Sequence, residues 1–482
     1  MLSGRLRPDA LDITGLVRIG LILAVLALAA LLGRAATPRL ALSIAAGMVL
    51  LGLLARPHWG LVALIPTALC LPFAIGTGTQ TSLNAAVLLL AALLGVWLLD
   101  MLRRGEVRLV PSSVNLPALA FVVVALLAFA AGQLPWNPFA STASLAAQAG
   151  GLATFVLSVG ALLLVANMAT ALRWLRALVW PFLALGALVV LGRLLPPLGA
   201  LSGWLLAPGA QGCLFWLWLT ALAGGLALFD RSLSMGLRVA LFGLAVGVFG
   251  VGWFLGRGWA SGWFPPLVVL WTLLWLRSWR LGLLATLAGA IWVSFLRPDL
   301  PYDVAAMDQY SIDTRQVAWD ILLRQVLPLN PVLGLGPSNY YHYTPLYPIL
   351  GWYVKFNSHN QYVDILAQTG VLGMGAFLWL MATLGRLGWS LRGRVGDGFA
   401  CGYVHACLAG LAGTLVAGML ADWFIPFVYN IGLAGFRASV LGWLFLGGLV
   451  ALEQMKGEFT AAHGESAEMI GGSPQSTRGA QR

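Results

Sequence analysis

Long apolar runs alternate with short polar connections along most of the chain, a pattern that predicts membrane-spanning helices. A helix needs roughly 20 apolar residues to cross a bilayer, and fourteen runs approach this length. Two or three boundaries between runs are soft, so we expect twelve to fourteen spans. The run centres fall near residues 25, 48, 67, 93, 124, 160, 185, 220, 246, 270, 288, 376, 410 and 441.

One polar and aromatic segment, residues 297–361, interrupts the runs. It separates about eleven spans in residues 1–296 from about three spans in residues 362–452. Residues 453–482 are small and polar and predict a disordered cytoplasmic tail. The fold class we expect is therefore all-α: a polytopic membrane helical bundle of about 12–14 transmembrane helices with one large extracytoplasmic loop containing short helices.

Composition supports a membrane protein and argues against nucleic-acid binding. Of the 482 residues, 60% are hydrophobic and 9% are charged, which a soluble protein of this size could not accommodate. The net charge of +11 comes mainly from arginines placed singly or in small groups between apolar runs. Such arginines are typical of topology determinants, and no long basic run indicates a nucleic-acid partner.

The positive-inside rule orients the chain. With the N-terminus in the cytoplasm, most arginine-bearing connections fall inside, whereas the connections near 76–82, 133–149 and 196–210 carry no Lys or Arg. Arg34 and Arg39 are the exception. The segment 297–361 and Arg257 then fall outside the cytoplasm.

Eight of the ten tyrosines lie in or directly after the polar segment. One interpretation is an aromatic belt at the membrane interface. The other is a platform on which sugar rings stack. The tyrosines are Tyr302, Tyr310, Tyr340, Tyr341, Tyr343, Tyr347, Tyr353 and Tyr362.

Residues 311–327 within the segment predict a short helix that ends at Pro328 and Asn330. Arg315 and Trp319 share one face, so the indole can pack against the arginine. An interfacial helix with a snorkelling arginine is the alternative. The candidate caps are Ser311, Asp313 and Thr314.

The sequence GLGPSN, residues 334–339, is weak evidence for a phosphate-binding loop because no GK[ST] follows it. We interpret it as a turn. The aspartates Asp303, Asp308 and Asp313 match no metal-binding spacing, so no metal or cofactor is predicted.

Residues of the polar segment and of the apolar run after it form an ordered set: Arg315, Trp319, Pro331, Gly334, Gly336, Pro337, His359, Asn360, Gly370 and Gly373. This set resembles the signature of the O-antigen ligase and O-antigen polymerase superfamily. The upstream segment FLGRGWASGW, residues 254–263, resembles that family's Ser-Arg-Gly segment, with Arg257 as its arginine and Gly256 in place of the usual Ser or Thr.

The resemblance implies a GT-C-type glycosyltransferase of the cytoplasmic membrane. Such an enzyme transfers a polyprenyl-diphosphate-linked glycan to an acceptor hydroxyl on the extracytoplasmic face, with inversion and without a metal. It serves lipopolysaccharide or other cell-surface polysaccharide biosynthesis. A ligase, a polymerase of lipid-linked repeat units and a protein O-oligosaccharyltransferase share this chemistry and differ in the acceptor: a saccharide, a lipid-linked glycan or a glycoprotein.

The chemistry agrees with three of the signature residues. Arginine binds phosphate oxygens bidentately and stabilises the charge of a departing diphosphate, which suits Arg257 and Arg315. A neutral histidine can take the proton of an acceptor hydroxyl, which suits His359. Asn357 or Asn360 could orient its ring. The alternative for His359 is an interfacial helix cap.

Several further residues are supporting candidates. Arg437 lies inside the last apolar run, where an arginine is costly. It could contact the diphosphate, snorkel outward or pair with Asp422. The others predicted to support the site or bind the acceptor are Asn357, Asn360, Trp319, Tyr340 and Tyr341, with His342, Arg324 and Arg193 as secondary candidates.

A transporter or flippase for lipid-linked saccharides is the rival from another class. It needs a charged path across the membrane, whereas the polar residues here collect on one face. A membrane scaffold would not need two arginines and a histidine in this order.

Overall fold

The structure, a computed structural model, describes residues 38–77, 82–206, 212–296 and 309–455. The chain forms two compact units, Met1–Arg56 and Pro57–Arg482. The first contributes one described helix, α1 (Pro38–Ala55). The predicted span near residue 25, residues 297–308 and residues 456–482 of the predicted disordered tail lie outside the described residues. The predicted start of that tail at residue 453 is wrong, because Glu453 and Gln454 continue the last helix.

The second unit is built almost entirely of helices. Those before the polar segment are α2 (Pro57–Cys70), α3 (Ala85–Arg104), α4 (Asn115–Ala131), α5 (Leu145–Met168), α6 (Leu172–Leu194), α7 (Pro196–Leu206), α8 (Cys213–Phe229), α9 (Met235–Leu255), α10 (Ala260–Arg277) and α11 (Trp279–Ile291, continued by a π-turn at Trp292–Leu296). Those that follow are α12 (Gln309–Ile321), α13 (Tyr340–Tyr343), α14 (Gln361–Arg392), α15 (Phe399–Leu420) and α16 (Gly432–Gln454).

The apolar runs account for the helices. Each predicted run centre from residue 48 to residue 441 lies inside one of them. Among the described residues, seven helices are long and apolar enough to cross a membrane: α3, α5, α6, α9, α14, α15 and α16. Four further apolar helices are shorter. The chain is therefore an all-α protein with the character of a membrane-embedded bundle, and the figure of twelve to fourteen spans stays a prediction.

Close backbone packing holds the centre of the bundle together. An added Cβ at Gly225 of α8 would lie 2.8 Å from the carbonyl oxygen of Gly402 in α15. One at Gly447 of α16 would lie 2.4 Å from the carbonyl oxygen of Leu162 in α5. Small residues permit such approaches, which supply the van der Waals contact that drives helix association in lipid.

A short antiparallel hairpin, β1 (Ala74–Gly76) with β2 (Ser82–Asn84), leads into α3. The Asn84 side chain caps α3 by accepting from the Val87 amide at 3.1 Å. Its Nδ2 donates to the Leu433 carbonyl at 2.5 Å. The hairpin is thereby fixed to the first turn of α16.

The helix predicted over residues 311–327 is present, with a different start. α12 already includes Gln309 and continues through a π-turn (Leu322–Val326) and a 3₁₀ turn (Leu327–Leu329). The predicted end near Pro328 is confirmed. The predicted caps are wrong, because the helix extends past them: Ser311, Asp313 and Thr314 lie within it, and Thr314 Oγ1 donates back to the Tyr310 carbonyl at 2.6 Å.

Candidate functional site

Helix α14 is broken at Gly370, where φ is 65° and ψ is −167°. The turn that contains the GLGPSN sequence fills the break. Leu335 and Gly336 donate their backbone N–H groups to the carbonyls of Ala367 and Gln368 at 2.9 and 3.0 Å. On the other side of the break, Val371 donates to Pro331 at 2.9 Å. The turn therefore replaces the helical hydrogen bonds that the break removes.

This arrangement favours the turn interpretation of residues 334–339 over a phosphate cradle. The backbone N–H groups of Gly334, Leu335, Gly336 and Ser338 all donate to acceptors within the protein. An added Cβ at Gly334 would lie 2.6 Å from backbone atoms of α14, so no side chain fits there. The glycines serve a close packing of turn on helix.

The polar lip Ser358–Asn360 leads into the first turn of α14. Asn360 caps the helix through its side chain, which accepts from the amides of Tyr362 and Val363 at 3.0 and 3.4 Å. His359 has a φ of +46°, a conformation that costs energy for a residue other than glycine. The cap is thus supplied by Asn360, and His359 is held in a strained backbone beside it.

Two carboxylates are buried beneath the lip. Asp364 accepts hydrogen bonds from the Ser358 hydroxyl at 2.7 Å and from the Tyr340 hydroxyl. Asp422 accepts from the Phe427 amide at 2.6 Å and from the Asn430 side chain. Both carboxylates are fully inaccessible to solvent. Burial raises the pKa of Asp422 to about 6, although these two hydrogen bonds favour the charged form.

The sequence predicted that Asn357 or Asn360 would orient the His359 ring. In the structure the ring contacts Asn430. Asn430 Nδ2 lies 3.3 Å from His359 Nδ1 and also donates to Asp422 Oδ1. Because Nδ2 is a donor, Nδ1 is the acceptor of this contact, and the proton of the neutral ring is assigned to Nε2. Asn357 instead accepts from the His359 backbone amide at 3.3 Å.

Arg315 and Trp319 share a face of α12 as predicted, and they contact different elements. The Trp319 indole donates to the Ser358 carbonyl at 2.7 Å and fixes the lip. Arg315 Nη1 donates to the Leu420 carbonyl at the end of α15, at 3.0 Å. The Arg315 Nε–H is buried, and no described residue accepts from it.

Arg257 lies in the connection between α9 and α10. Its guanidinium carbon is 4.5 Å from the centre of the Trp253 ring. Its Nε and Nη2 atoms are buried, and no described residue accepts from them. A buried donor without an acceptor is destabilising by about 1–3 kcal/mol, more when it is charged. Both arginines predicted to bind a diphosphate therefore keep donors that an anion could satisfy.

The connection between α15 and α16, residues 421–431, lies next to Arg315, His359 and the segment that carries Arg257. Arg315 contacts its preceding residue, Leu420, and the Asn430 side chain within it contacts His359. The Trp259 ring lies 5.9 Å from Trp423, which links it to the segment carrying Arg257. We call residues 421–431 the α15–α16 loop.

Arg437 does not pair with Asp422. It donates to the carbonyls of Leu71 and Phe73, the latter at 2.8 Å, and thereby holds the β-hairpin against α16. It also lines a cavity of about 340 Å³ together with Asn84 and Trp423. The Trp423 indole Nε1–H is buried, and no described residue accepts from it.

Among the residues that the structure describes, which exclude Tyr302, the tyrosines do not form one exposed platform. Tyr340 is fully buried and stacks on Phe427 with ring centres 4.6 Å apart, so it belongs to the core beneath the lip. Burial and the charge of Asp364 raise the pKa of its hydroxyl well above the ordinary value, which keeps it a donor. Tyr341, half-buried, stacks on Tyr429 at 4.6 Å and leaves part of its surface open.

The secondary candidates have ordinary surroundings. His342 Nε2 lies 3.2 Å from the Tyr429 hydroxyl, and burial and the charge of Lys355 lower the pKa of this histidine. Arg324 forms an exposed ion pair with Asp320 at 2.7 Å. Arg193 is exposed at the end of α6.

Sequence reasoning missed Asn430 and the joint burial of Asp364 and Asp422. The signal available was the polar pair Asp422 and Asn430 at the two ends of the short loop before the last apolar run. Within the described ranges, no group of three or more His, Cys, Asp or Glu is arranged to hold a metal ion. The expectation of metal-free chemistry stays a prediction.

No family model and no curated protein matches the chain.

Proposed function

We propose that the protein is a membrane glycosyltransferase that moves a polyprenyl-diphosphate-linked glycan to an acceptor hydroxyl at the extracytoplasmic face of the cytoplasmic membrane. One arrangement carries the proposal. The α15–α16 loop, or Leu420 directly before it, is contacted by Arg315 and by the segments that bear Arg257 and His359. Both arginines of this arrangement keep buried donors without a described acceptor. Preorganised cations of this kind stabilise charge that develops on a leaving diphosphate.

In the proposed reaction the acceptor oxygen attacks the anomeric carbon of the donor glycan. The acceptor proton passes to His359 Nδ1, which exchanges its long contact with Asn430 for the new N–H bond. The bond between the anomeric carbon and the diphosphate oxygen breaks, and its electron pair stays on the diphosphate beside Arg257 and Arg315. The nearby Asp422 carboxylate favours the protonated ring.

The test is a transfer assay with the purified full chain in lipid nanodiscs. The donor is a polyprenyl-diphosphate-linked oligosaccharide, EDTA is present, and products are read by mass spectrometry. Separate reactions offer a lipid-linked glycan core, a second lipid-linked repeat and a hydroxyl-bearing glycopeptide. These three acceptors distinguish a ligase, a polymerase and a protein O-oligosaccharyltransferase.

Wild type is compared with His359→Asn and with His342→Asn. Asparagine tolerates the positive φ at position 359, so the first variant removes the base and keeps the backbone. We expect transfer by wild type and His342→Asn and its loss in His359→Asn. Equal transfer by all three chains would overturn the role of His359. Movement of the donor across the bilayer without transfer to any acceptor would favour a flippase instead.

A further inference from the structure

A lateral groove runs between α6 and α9, away from the His359 lip. It encloses about 510 Å³ and is lined by α6 between Trp180 and Leu194 and by α9 between Leu237 and Gly247. Every lining residue is apolar or glycine. At a rise of about 1.5 Å per residue, the α6 wall is about 21 Å long.

Small residues keep the groove open. An added Cβ at Gly243 of α9 would meet no atom within 4 Å, so this position faces free space. At Gly247, one turn further along, an added Cβ would lie 3.3 Å from a methyl group of Val190. The two helices therefore approach each other at Gly247 and leave the groove open beside Gly243.

The groove is followed by a second cavity along the same pair of helices. This cavity of about 200 Å³ is lined by Arg193 of α6, by Val251 and Gly256 at the end of α9, and by Trp259. Arg193 forms no ion pair with a described residue. Gly256 and Trp259 flank Arg257, whose buried donors have no described acceptor.

A long hydrocarbon chain carrying a phosphate group fits an apolar groove that is followed by a cavity lined by an arginine, Arg193. We propose that this groove binds the isoprenoid chain of the lipid donor, with Arg193 at its mouth contacting the phosphate end. The proposal rests on the proposed function, because that function requires a polyprenyl diphosphate. It adds two points that the surroundings of His359 and Arg315 do not supply: where the isoprenoid chain lies, and Arg193 as a further phosphate-binding residue.

The test measures binding of defined lipids to the full chain by native mass spectrometry. The probes are undecaprenyl diphosphate without a glycan, undecaprenol, farnesyl diphosphate and phosphatidylglycerol. Gly243→Phe fills the groove. Gly289→Phe is the matched control, since Gly289 is an exposed helical glycine at which an added Cβ also meets no atom within 4 Å.

We expect Gly243→Phe to weaken binding of both undecaprenyl lipids at least about tenfold, as loss of two or more buried CH₂ groups implies, and to weaken farnesyl diphosphate less, because its shorter chain fills less of the groove. Arg193→Gln should weaken undecaprenyl diphosphate and leave undecaprenol unchanged. Gly289→Phe should bind like wild type.

Undiminished binding of undecaprenyl lipids by Gly243→Phe would overturn the groove assignment. Equal binding of phosphatidylglycerol at the groove would also overturn it, since the groove would then hold ordinary bilayer lipid. Binding needs no transfer, so the outcome is separable from the proposed function. If the protein transfers the glycan but Gly243→Phe binds the undecaprenyl lipids like wild type, the groove proposal alone is wrong. If the groove binds these lipids but no acceptor receives the glycan, the glycosyltransferase proposal alone is wrong.

Discussion

The polar side chains around His359 and the guanidinium groups of Arg257 and Arg315 differ in how completely their hydrogen bonds are satisfied. Around the lip, Ser358, Asn360 and Asn430 each bond to a neighbour that fixes their orientation, and Asp364 Oδ2 beneath them is buried without a described donor. The two arginines keep buried donors without a described acceptor.

Under the proposed function, the difference suits two separate tasks. A bonded network is rigid before a substrate arrives, which suits a base that must meet a proton at a set position. Unsatisfied cationic donors are destabilising in the free protein and become stabilising when an anion binds. Variants at the arginines should therefore also change how much a bound anion stabilises the protein.

The largest effect is expected at His359. The His359→Asn variant should lower the transfer rate by about 10²–10⁴, the usual contribution of a general base. Its melting temperature should stay the same or rise slightly, because asparagine adopts a positive φ more readily than histidine. Transfer kinetics and a thermal unfolding curve, both measured in lipid nanodiscs, check both parts. A large fall in melting temperature would mean that His359 is a structural residue of the lip.

The arginine variants should also lower transfer, and their response to an added anion should set them apart from wild type. Arg257→Gln and Arg315→Gln should each lower transfer about 10²–10³-fold, as loss of a charge-stabilising donor does. Neither should lower the melting temperature much, since buried donors without acceptors disappear with the guanidinium. Inorganic diphosphate should raise the melting temperature of wild type more than that of either variant. Arg324→Gln, which removes an exposed ion pair, is the control.

The helices of this protein could be predicted from the sequence because each apolar run forms its own backbone hydrogen bonds locally. The same holds for the pairing of Arg315 and Trp319 on one face of α12. The break in α14 could not be predicted in this way. It depends on a turn more than 30 residues earlier, whose Leu335 and Gly336 amides satisfy carbonyls of α14.

The contacts of the His359 side chain could not be predicted from the sequence either, because they depend on tertiary packing. Asn357 and Asn360 are its sequence neighbours, yet one binds its backbone and the other caps α14. The residue that contacts the ring, Asn430, is 71 positions away. Polarity singled out the lip as a candidate site, whereas the partner of each side chain is decided by how α14 packs against the α15–α16 loop.

A smaller effect is expected at Asn430. Asn430→Ala removes the amide that lies between His359 and Asp422, so the ring loses one orienting contact. We expect a fall of about tenfold in the transfer rate, equivalent to about 1.4 kcal/mol, and a changed pH–rate profile because the carboxylate acts on the ring less directly. Asn357→Ala should change the rate by no more than about twofold, since Asn357 bonds only to the backbone. Equal losses of transfer rate in the two variants would mean that Asn430 orients the His359 ring no more than Asn357 does.

The smallest effect concerns stability and Asp422. Burial raises its pKa to about 6 in the folded protein, above the value of about 3.9 that an exposed aspartate has. The folded state therefore binds the proton more tightly than the unfolded state does. The stability contributed by this group is fully present below about pH 4 and is lost as the pH rises through about 6.

Asp422→Asn carries a neutral amide at every pH, so its melting temperature should vary less than that of wild type between pH 5 and pH 7. The difference should be on the order of a few degrees. Asp320→Asn, at an exposed carboxylate, should keep the wild-type pH dependence. If Asp422→Asn and wild type change in parallel across this range, Asp422 is already ionised at pH 5. The Asp422 carboxylate would then be charged next to Asn430, and so close to His359, at every pH in this range.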